Sequence, residues 1–152
     1  VTRVSLKLPP SGEEDGPAVV TRSAEETFRL AEAMASEFSG REIVLLTGEL
    51  GAGKTVFAKG IAAGAGVRDV NRVCSPSFTL VNIYEGKHRI FHIDLYRLER
   101  EAEILDLGWE DYLDEGIVLV EWAEKLPFPL EGIAVRIEIG ADDERRVTVR
   151  RA

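Results

Sequence analysis

Apolar and polar positions alternate, cluster and recur along this chain in a way that predicts most of its elements. Val4, Leu6 and Leu8 alternate with polar neighbours and predict a short strand ending at Pro9-Pro10; residues 11–17 (Ser-Gly-Glu-Glu-Asp-Gly-Pro) form a loop. Ser23-Ala24-Glu25-Glu26 fits a capping box, in which a hydroxyl and a carboxylate satisfy open amides at a helix start. Phe28, Ala31, Met34, Ala35 and Phe38 follow at helical spacing as core positions, with Gly40 closing the helix. Ile43–Leu46 is an apolar run without alternation, as in a strand buried on both faces. A helix is expected from Lys54 to about Ala63, ending in Gly64 and Gly66.

Further on, Phe78–Tyr84 and Arg89–Leu95 read as two strands joined by a tight Glu85-Gly86-Lys87 turn. Short helices are expected at Glu101–Leu107 and Trp109–Leu113, and a second fully apolar strand at Ile117–Val120. Ala134–Ile139 and Arg146–Arg150 alternate as a terminal hairpin across Gly140–Glu144. Apolar strands separated by helices predict an α/β fold: a mostly parallel sheet flanked by helices, with antiparallel edge strands. A length of 152 residues fits a single domain over 1–152.

Composition changes the picture in two places. Nineteen basic against 27 acidic residues give a net charge of −8, which argues against a surface that itself grips nucleic acid or an anionic membrane. One cysteine, Cys74, cannot form an internal disulfide, and it reads as a small buried or half-buried residue. No apolar stretch approaches the roughly 20 residues of a membrane span, and Val1–Pro10 lacks a signal-peptide core, so the cytoplasm is the expected location.

The strongest chemical signal is Gly48-Glu49-Leu50-Gly51-Ala52-Gly53-Lys54-Thr55, a G-x-x-x-x-G-K-[ST] phosphate-binding loop. Glycines let the chain wrap closely enough for successive amides to face phosphate oxygens, and the following helix adds its positive end. Lys54 is positioned for the β- and γ-phosphates and the Thr55 hydroxyl for magnesium. The pattern arises by chance in roughly one chain of this length in two hundred. Here it also stands where it must, between a buried strand and a helix.

Such a loop needs a carboxylate at the end of a neighbouring strand to hold magnesium or its water ligands, and Asp94 and Glu121 both end predicted strands. Cys74–Leu80 carries several hydroxyls around a proline and could close over a γ-phosphate as switch loops do. His92 shares a strand face with Asp94 by alternation, and His88 falls at the turn. Neither has a companion at zinc-ligand spacing.

Taken together, Gly48–Thr55, Ser75-Pro76-Ser77-Phe78-Thr79-Leu80-Val81, His92-Ile93-Asp94-Leu95-Tyr96-Arg97-Leu98 and Val120-Glu121-Trp122 resemble the TsaE (YjeE) ATPases. The likeness runs from the helix at Ser23 to the terminal hairpin, and the Asp-Leu-Tyr-Arg-Leu and Glu-Trp signatures discriminate more than the phosphate loop. The resemblance implies a bacterial P-loop protein that binds ATP and magnesium and hydrolyses ATP slowly. It also implies TsaB and TsaD as partners in threonylcarbamoylation of the tRNA adenosine beside the anticodon, with tRNA met through those partners.

By motif position the resemblance implies that Gly48, Glu49, Leu50, Gly51, Ala52, Gly53, Lys54, Thr55 and Val56 hold nucleotide. Thr55 and Glu121 would bind magnesium, and Asp94 would be a water-orienting residue or outer-shell ligand. Ser77 and Thr79 match the switch-like segment, where the family more often has threonine at the Ser77 position. Trp122 would pack near the site, in the core or at a partner surface. The helix start at Ser23–Glu26 and one of Arg145 and Arg146, with Arg146 taken first, would approach the nucleotide. Two other readings stay open: a small-molecule kinase, and an interaction module that binds nucleotide with negligible hydrolysis. A GTPase is disfavoured, because no Asn-Lys-x-Asp sequence is present.

Overall fold

In the computed structural model, residues 18–76 and 79–151 are described. The strand expected at Val4–Leu8 and the loop at 11–17 lie outside the described residues, as do Ser77 and Phe78.

The seven strands are β1 (Ala18–Thr21), β2 (Ile43–Gly48), β3 (Val81–Tyr84), β4 (Ile90–Asp94), β5 (Ile117–Glu121), β6 (Ile133–Ile139) and β7 (Arg145–Arg151). They form one sheet in the order β1-β7-β6-β2-β5-β4-β3. The four central strands β6, β2, β5 and β4 run parallel, while β7, β1 and β3 join antiparallel at the two sides. The expected parallel sheet with antiparallel edges is therefore what the chain forms. The two middle strands, β2 and β5, are the unbroken apolar runs, because both of their faces are covered.

Helices α1 (Ala24–Ala35) and α2 (Lys54–Gly64) pack on one face over Val44, Leu46, Ile90, Ile117 and Leu119. The other face, with Leu45, Phe91, Ile93, Val118 and Val120, is covered by α3 (Glu101–Leu105) and the segments carrying Trp109 and Phe128. Two glycines set how closely α2 lies on α1. A Cβ on Gly60 would stand 2.4 Å from the Phe28 carbonyl oxygen, and one on Gly64 the same distance from that of Glu32. Only glycine allows backbone-to-backbone packing along that seam.

Several expected boundaries shift. The capping box forms, with the Glu26 amide donating to Ser23 Oγ, but the Glu26 carboxylate accepts from the Arg22 amide. Helix α1 stops at Ala35 and not at Gly40, because the Glu42 carboxylate gathers the amides of Ser39, Gly40 and Arg41 into a loop. Phe28 is half-buried, and the buried face of α1 is Thr27, Leu30, Ala31, Met34 and Ala35. The expected strand over Phe78–Tyr84 starts at Val81, since Leu80 takes a left-handed φ of 69° and its amide turns back to Pro76. The turn at Glu85-Gly86-Lys87 is wider than expected: Tyr84 pairs with Ile90, and an Arg89–Glu85 ion pair of 2.7 Å ties the loop. Helix α3 ends at Leu105, and only a 3-10 turn, Trp109–Asp111, forms where a second helix was expected. Cys74 is exposed, not buried.

Candidate functional site

Strand register assembles the site. Leu46 on β2 pairs with Glu121 on β5, and Glu121 pairs in turn with Asp94 on β4. The phosphate-binding loop that leaves β2 therefore emerges beside both carboxylates. This is where β2 has β5 on one side and β6 on the other, the strand-end crevice in which open α/β sheets hold ligands. Both acids are 2% exposed, so they are enclosed groups and not solvated strand ends.

The loop is shaped for an anion. Gly51 and Gly53 take φ of 81° and 108°, a region that side chains resist, and no atom lies within 4 Å of where their Cβ would be. Gly53 caps α2 without any side-chain hydrogen bond, and the first helical bond runs from the Phe57 amide to the Gly53 carbonyl. The amides of Lys54, Thr55 and Val56 thus precede the helical ladder and form the positive end of the helix. Arg145 Nε donates to the Ala52 carbonyl at 3.0 Å and fixes the far side of the loop.

Lys54 is 6% exposed. Its Nζ donates to the carbonyls of Gly48 and Glu49 and lies 4.1 Å from the centre of the Trp122 ring. Burial lowers the pKa of this ammonium below the ordinary lysine range, while the Glu121, Glu124 and Asp94 carboxylates act in the opposite sense. Trp122 follows Glu121 with a left-handed φ of 58°, unusual for so large a residue, and its ring stacks on Tyr96. Lys125 closes this wall by donating to the carbonyls of Leu95, Tyr96 and Leu98.

The two acids are bound differently. Asp94 accepts from Ser75 Oγ on Oδ2 at 2.5 Å and from the Tyr96 amide on Oδ1 at 2.9 Å. Glu121 Oε2 lies 2.6 Å from His92 Nε2, while its Oε1 takes part in no hydrogen bond among the described residues. His92 is itself fully buried, and its Nδ1 is 3.1 Å from the Tyr84 hydroxyl. Burial raises the Tyr84 hydroxyl pKa; the hydrogen bond from Asn82 opposes this, and the Glu121 charge adds to the rise.

A cavity of about 340 Å³ is lined by Leu50, Gly51, Gly53, Lys54, Thr55, Val56, Ser75, Asp94, Tyr96, Glu121 and Trp122. A second, of about 180 Å³, adjoins it across Gly51, Gly53 and Val56 and reaches Ser23, Thr27, Asp143 and Arg145. A larger cleft of about 660 Å³, between Gly66–Arg72 and Ile83–Lys87, lies apart from the loop and both acids. The smaller pair is the candidate site because amides, an ammonium and two enclosed carboxylates converge there.

Most of the expected site residues thus come together; Gly48 and Glu49 meet the site through their carbonyls on Lys54 without lining either cavity, and two others stand apart. Arg146 is exposed, while Arg145, its neighbour in the strand, lines the second cavity. Thr79 is exposed, with its hydroxyl donating to Asn82 Oδ1, and lines neither cavity. Ser77 lies outside the described residues. Two-residue spacing already placed His92 on the face of Asp94; nothing in the sequence pattern marks Tyr84 or Lys125.

Among the described residues no group of three His, Cys, Asp or Glu could alone hold a metal. The donors present, a threonine hydroxyl and oxygens of two carboxylates beside an anion-binding loop, suit magnesium, which is held by few protein ligands together with phosphate and water.

Comparison with known proteins agrees over most of the chain. The family model for "Threonylcarbamoyl adenosine biosynthesis protein TsaE" matches residues 21–149. The tRNA threonylcarbamoyladenosine biosynthesis protein TsaE of Aquifex aeolicus is 41% identical over 134 residues, 88% of this chain and 95% of the relative. Its Bacillus subtilis counterpart is 39% identical over 132 residues, 84% of this chain and 81% of the relative. The crystal structure of Bacillus subtilis YdiB superposes with a TM-score of 0.72 at 34% identity, covering 88% of this chain and 83% of that one. The loop, the paired strand-end acids and these likenesses lead to one conclusion: the chain belongs to the TsaE family of tRNA threonylcarbamoyladenosine biosynthesis proteins.

Proposed function

We propose that this chain binds ATP with magnesium and hydrolyses it, supplying a nucleotide cycle to a tRNA-threonylcarbamoylating assembly with TsaB- and TsaD-type partners. The observation that carries the reading is the pairing of Asp94 with Glu121 directly beside the mouth of the phosphate-binding loop. Phosphates fit the first cavity, on the amides that open α2, and Lys54 exchanges its two loop carbonyls for phosphate oxygens. The adjoining cavity, with Ser23, Thr27 and Arg145, takes the nucleoside end.

Thr55 and Glu121 would hold magnesium, which when bound neutralises charge on the terminal phosphates. Glu121 is the better direct ligand because Oε1 is uncommitted among the described residues. Asp94, with both oxygens already accepting hydrogen bonds, is better suited to orient water. No described helix is long and apolar enough to cross a membrane, in keeping with action beside tRNA-modifying subunits in the cytoplasm.

Lys54→Ala tests the site. The expected result is at least a tenfold loss of ATP affinity by titration calorimetry, with hydrolysis reduced to background. Binding and turnover like wild type would refute the assignment. Co-purification of the tRNA-modifying subunits with the tagged chain, compared with and without ATP, tests the partners. Transfer of phosphate to an added metabolite faster than to water would favour a kinase instead.

A further inference from the structure

His92 lines neither cavity of the candidate site, yet it is fully buried beside the acid assigned to magnesium. Burying an imidazole and a carboxylate together is costly unless their hydrogen bonds are met, and here both ring nitrogens are engaged. A carboxylate has no hydrogen to offer, so Nε2 carries the proton that joins it to Glu121 Oε2. On the other side, Nδ1 meets the Tyr84 hydroxyl, which also lies 3.2 Å from the Cys74 carbonyl. Asn82 Nδ2 reaches both that carbonyl and the Tyr84 oxygen at 3.4 Å. The next residue along, Ser75, donates to Asp94. The Tyr84 hydroxyl has one hydrogen, which goes to the bare Nδ1; the Asn82 amide, with two, donates to both the Tyr84 oxygen and the Cys74 carbonyl. Hydrogen bonds therefore run from Glu121 through His92, Tyr84 and Asn82 to the backbone at Cys74, and from Ser75 to the second acid.

We propose that His92 is a positioning residue for the Glu121 carboxylate: its Nε2–H holds Oε2 and so presents Oε1 toward the phosphate-binding loop. Tyr84 and, through it, Asn82 tie the imidazole to the Cys74–Ser75 backbone, so the placement of that segment and the aim of Glu121 are mechanically linked. The role rests on the ATPase reading above and adds to it a means by which a loop outside the phosphate cradle sets the geometry of the metal-binding acid. Hydrogen bonds of this kind behind a ligand are commonly worth 10–100-fold in metal affinity or activity.

The test uses the full chain and three variants. His92→Leu removes both hydrogen bonds at similar volume, His92→Gln returns an N–H near Nε2, and Tyr84→Phe removes only the anchoring hydroxyl. Each is measured for kcat, for KM for ATP, for the magnesium concentration giving half-maximal rate, and for thermal unfolding. Expected are a roughly 10–100-fold loss of kcat in His92→Leu, a rise in the magnesium requirement, and a KM for ATP within about threefold of wild type. His92→Gln should recover most of the loss, and Tyr84→Phe should fall between.

A readout independent of turnover is the imidazole 15N spectrum of the metal-free protein, tractable because the chain has only two histidines. Nε2 of His92 should carry its proton, and Glu121→Gln should shift that resonance. A bare Nε2 would overturn the proposal. So would wild-type kcat and magnesium requirement in His92→Leu, or equal losses in the Leu and Gln variants that follow melting temperature alone. If His92→Leu does not fold, the Gln and Phe variants decide by the same measurements. A wild-type chain without magnesium-dependent ATP hydrolysis would overturn the ATPase reading, and this proposal with it; an active wild type with indifferent variants overturns this proposal alone.

Discussion

At the scale of single residues, Glu42 shows how one side chain ends an element. Its Oε2 accepts from the Ser39 amide and hydroxyl, and its Oε1 from the amides of Gly40 and Arg41. Partial burial pushes its pKa up, but the amides of Ser39 and Gly40, its own amide and the Ser39 hydroxyl outweigh burial and hold it below the ordinary carboxylate value of 4.5. A carboxyl with a lowered folded pKa contributes stability that is present above its unfolded pKa and lost as pH falls through the folded one. Glu42→Gln should therefore cost about 1 kcal/mol near neutral pH, kept modest by partial exposure. The difference from wild type should shrink in denaturant melts taken progressively below pH 4.5. A constant difference across that range would be inconsistent with the carboxylate's role. Sequence alone hid this cap, because Gly40 reads as a helix stop while the group that bends the chain comes two residues later. Lys54, Thr55, Asp94 and Glu121 were legible because fixed spacing and strand ends marked them. Tyr84 and Lys125 were not, because they act through contacts across strands and loops that no local pattern records.

At the scale of elements, the unbroken apolar runs at β2 and β5 and the alternation at β6 and β7 made the sheet readable. The antiparallel β3 was readable in kind but not in extent. Its start depends on the left-handed turn at Leu80, a conformation that leucine gives no sign of adopting. The seam between α1 and α2 was equally invisible, since Gly60 and Gly64 read as weak points in a helix. Gly60→Ala tests what they do. Alanine favours a helix by about 1 kcal/mol, but its Cβ would lie 2.4 Å from the Phe28 carbonyl oxygen and 2.5 Å from Ala31 Cβ. The overlap should win, with a net loss of about 1–3 kcal/mol and a melting temperature lower by several degrees in scanning calorimetry. A higher melting temperature would mean that the helices separate without cost.

At the scale of the whole molecule, a charge of −8 coexists with a site that gathers two acids around one lysine. The isolated chain should bind tRNA more weakly than about 10 μM at physiological salt, as read by filter binding. Nanomolar binding would contradict the division of labour in which partner subunits hold the RNA. The glycine seam has a further consequence at this scale. Helix α2 carries the phosphate cradle at its start and is locked to α1 along its length, so that half of the crevice behaves as a fixed jaw. The facing half is built differently: beyond the strand-end acids Asp94 and Glu121 it is held by three hydrogen bonds from one Lys125 ammonium, a Tyr96–Trp122 ring contact and a left-handed Trp122. A crevice built this way is expected to adjust its grip, when it takes a ligand, from the side where Tyr96 faces solvent.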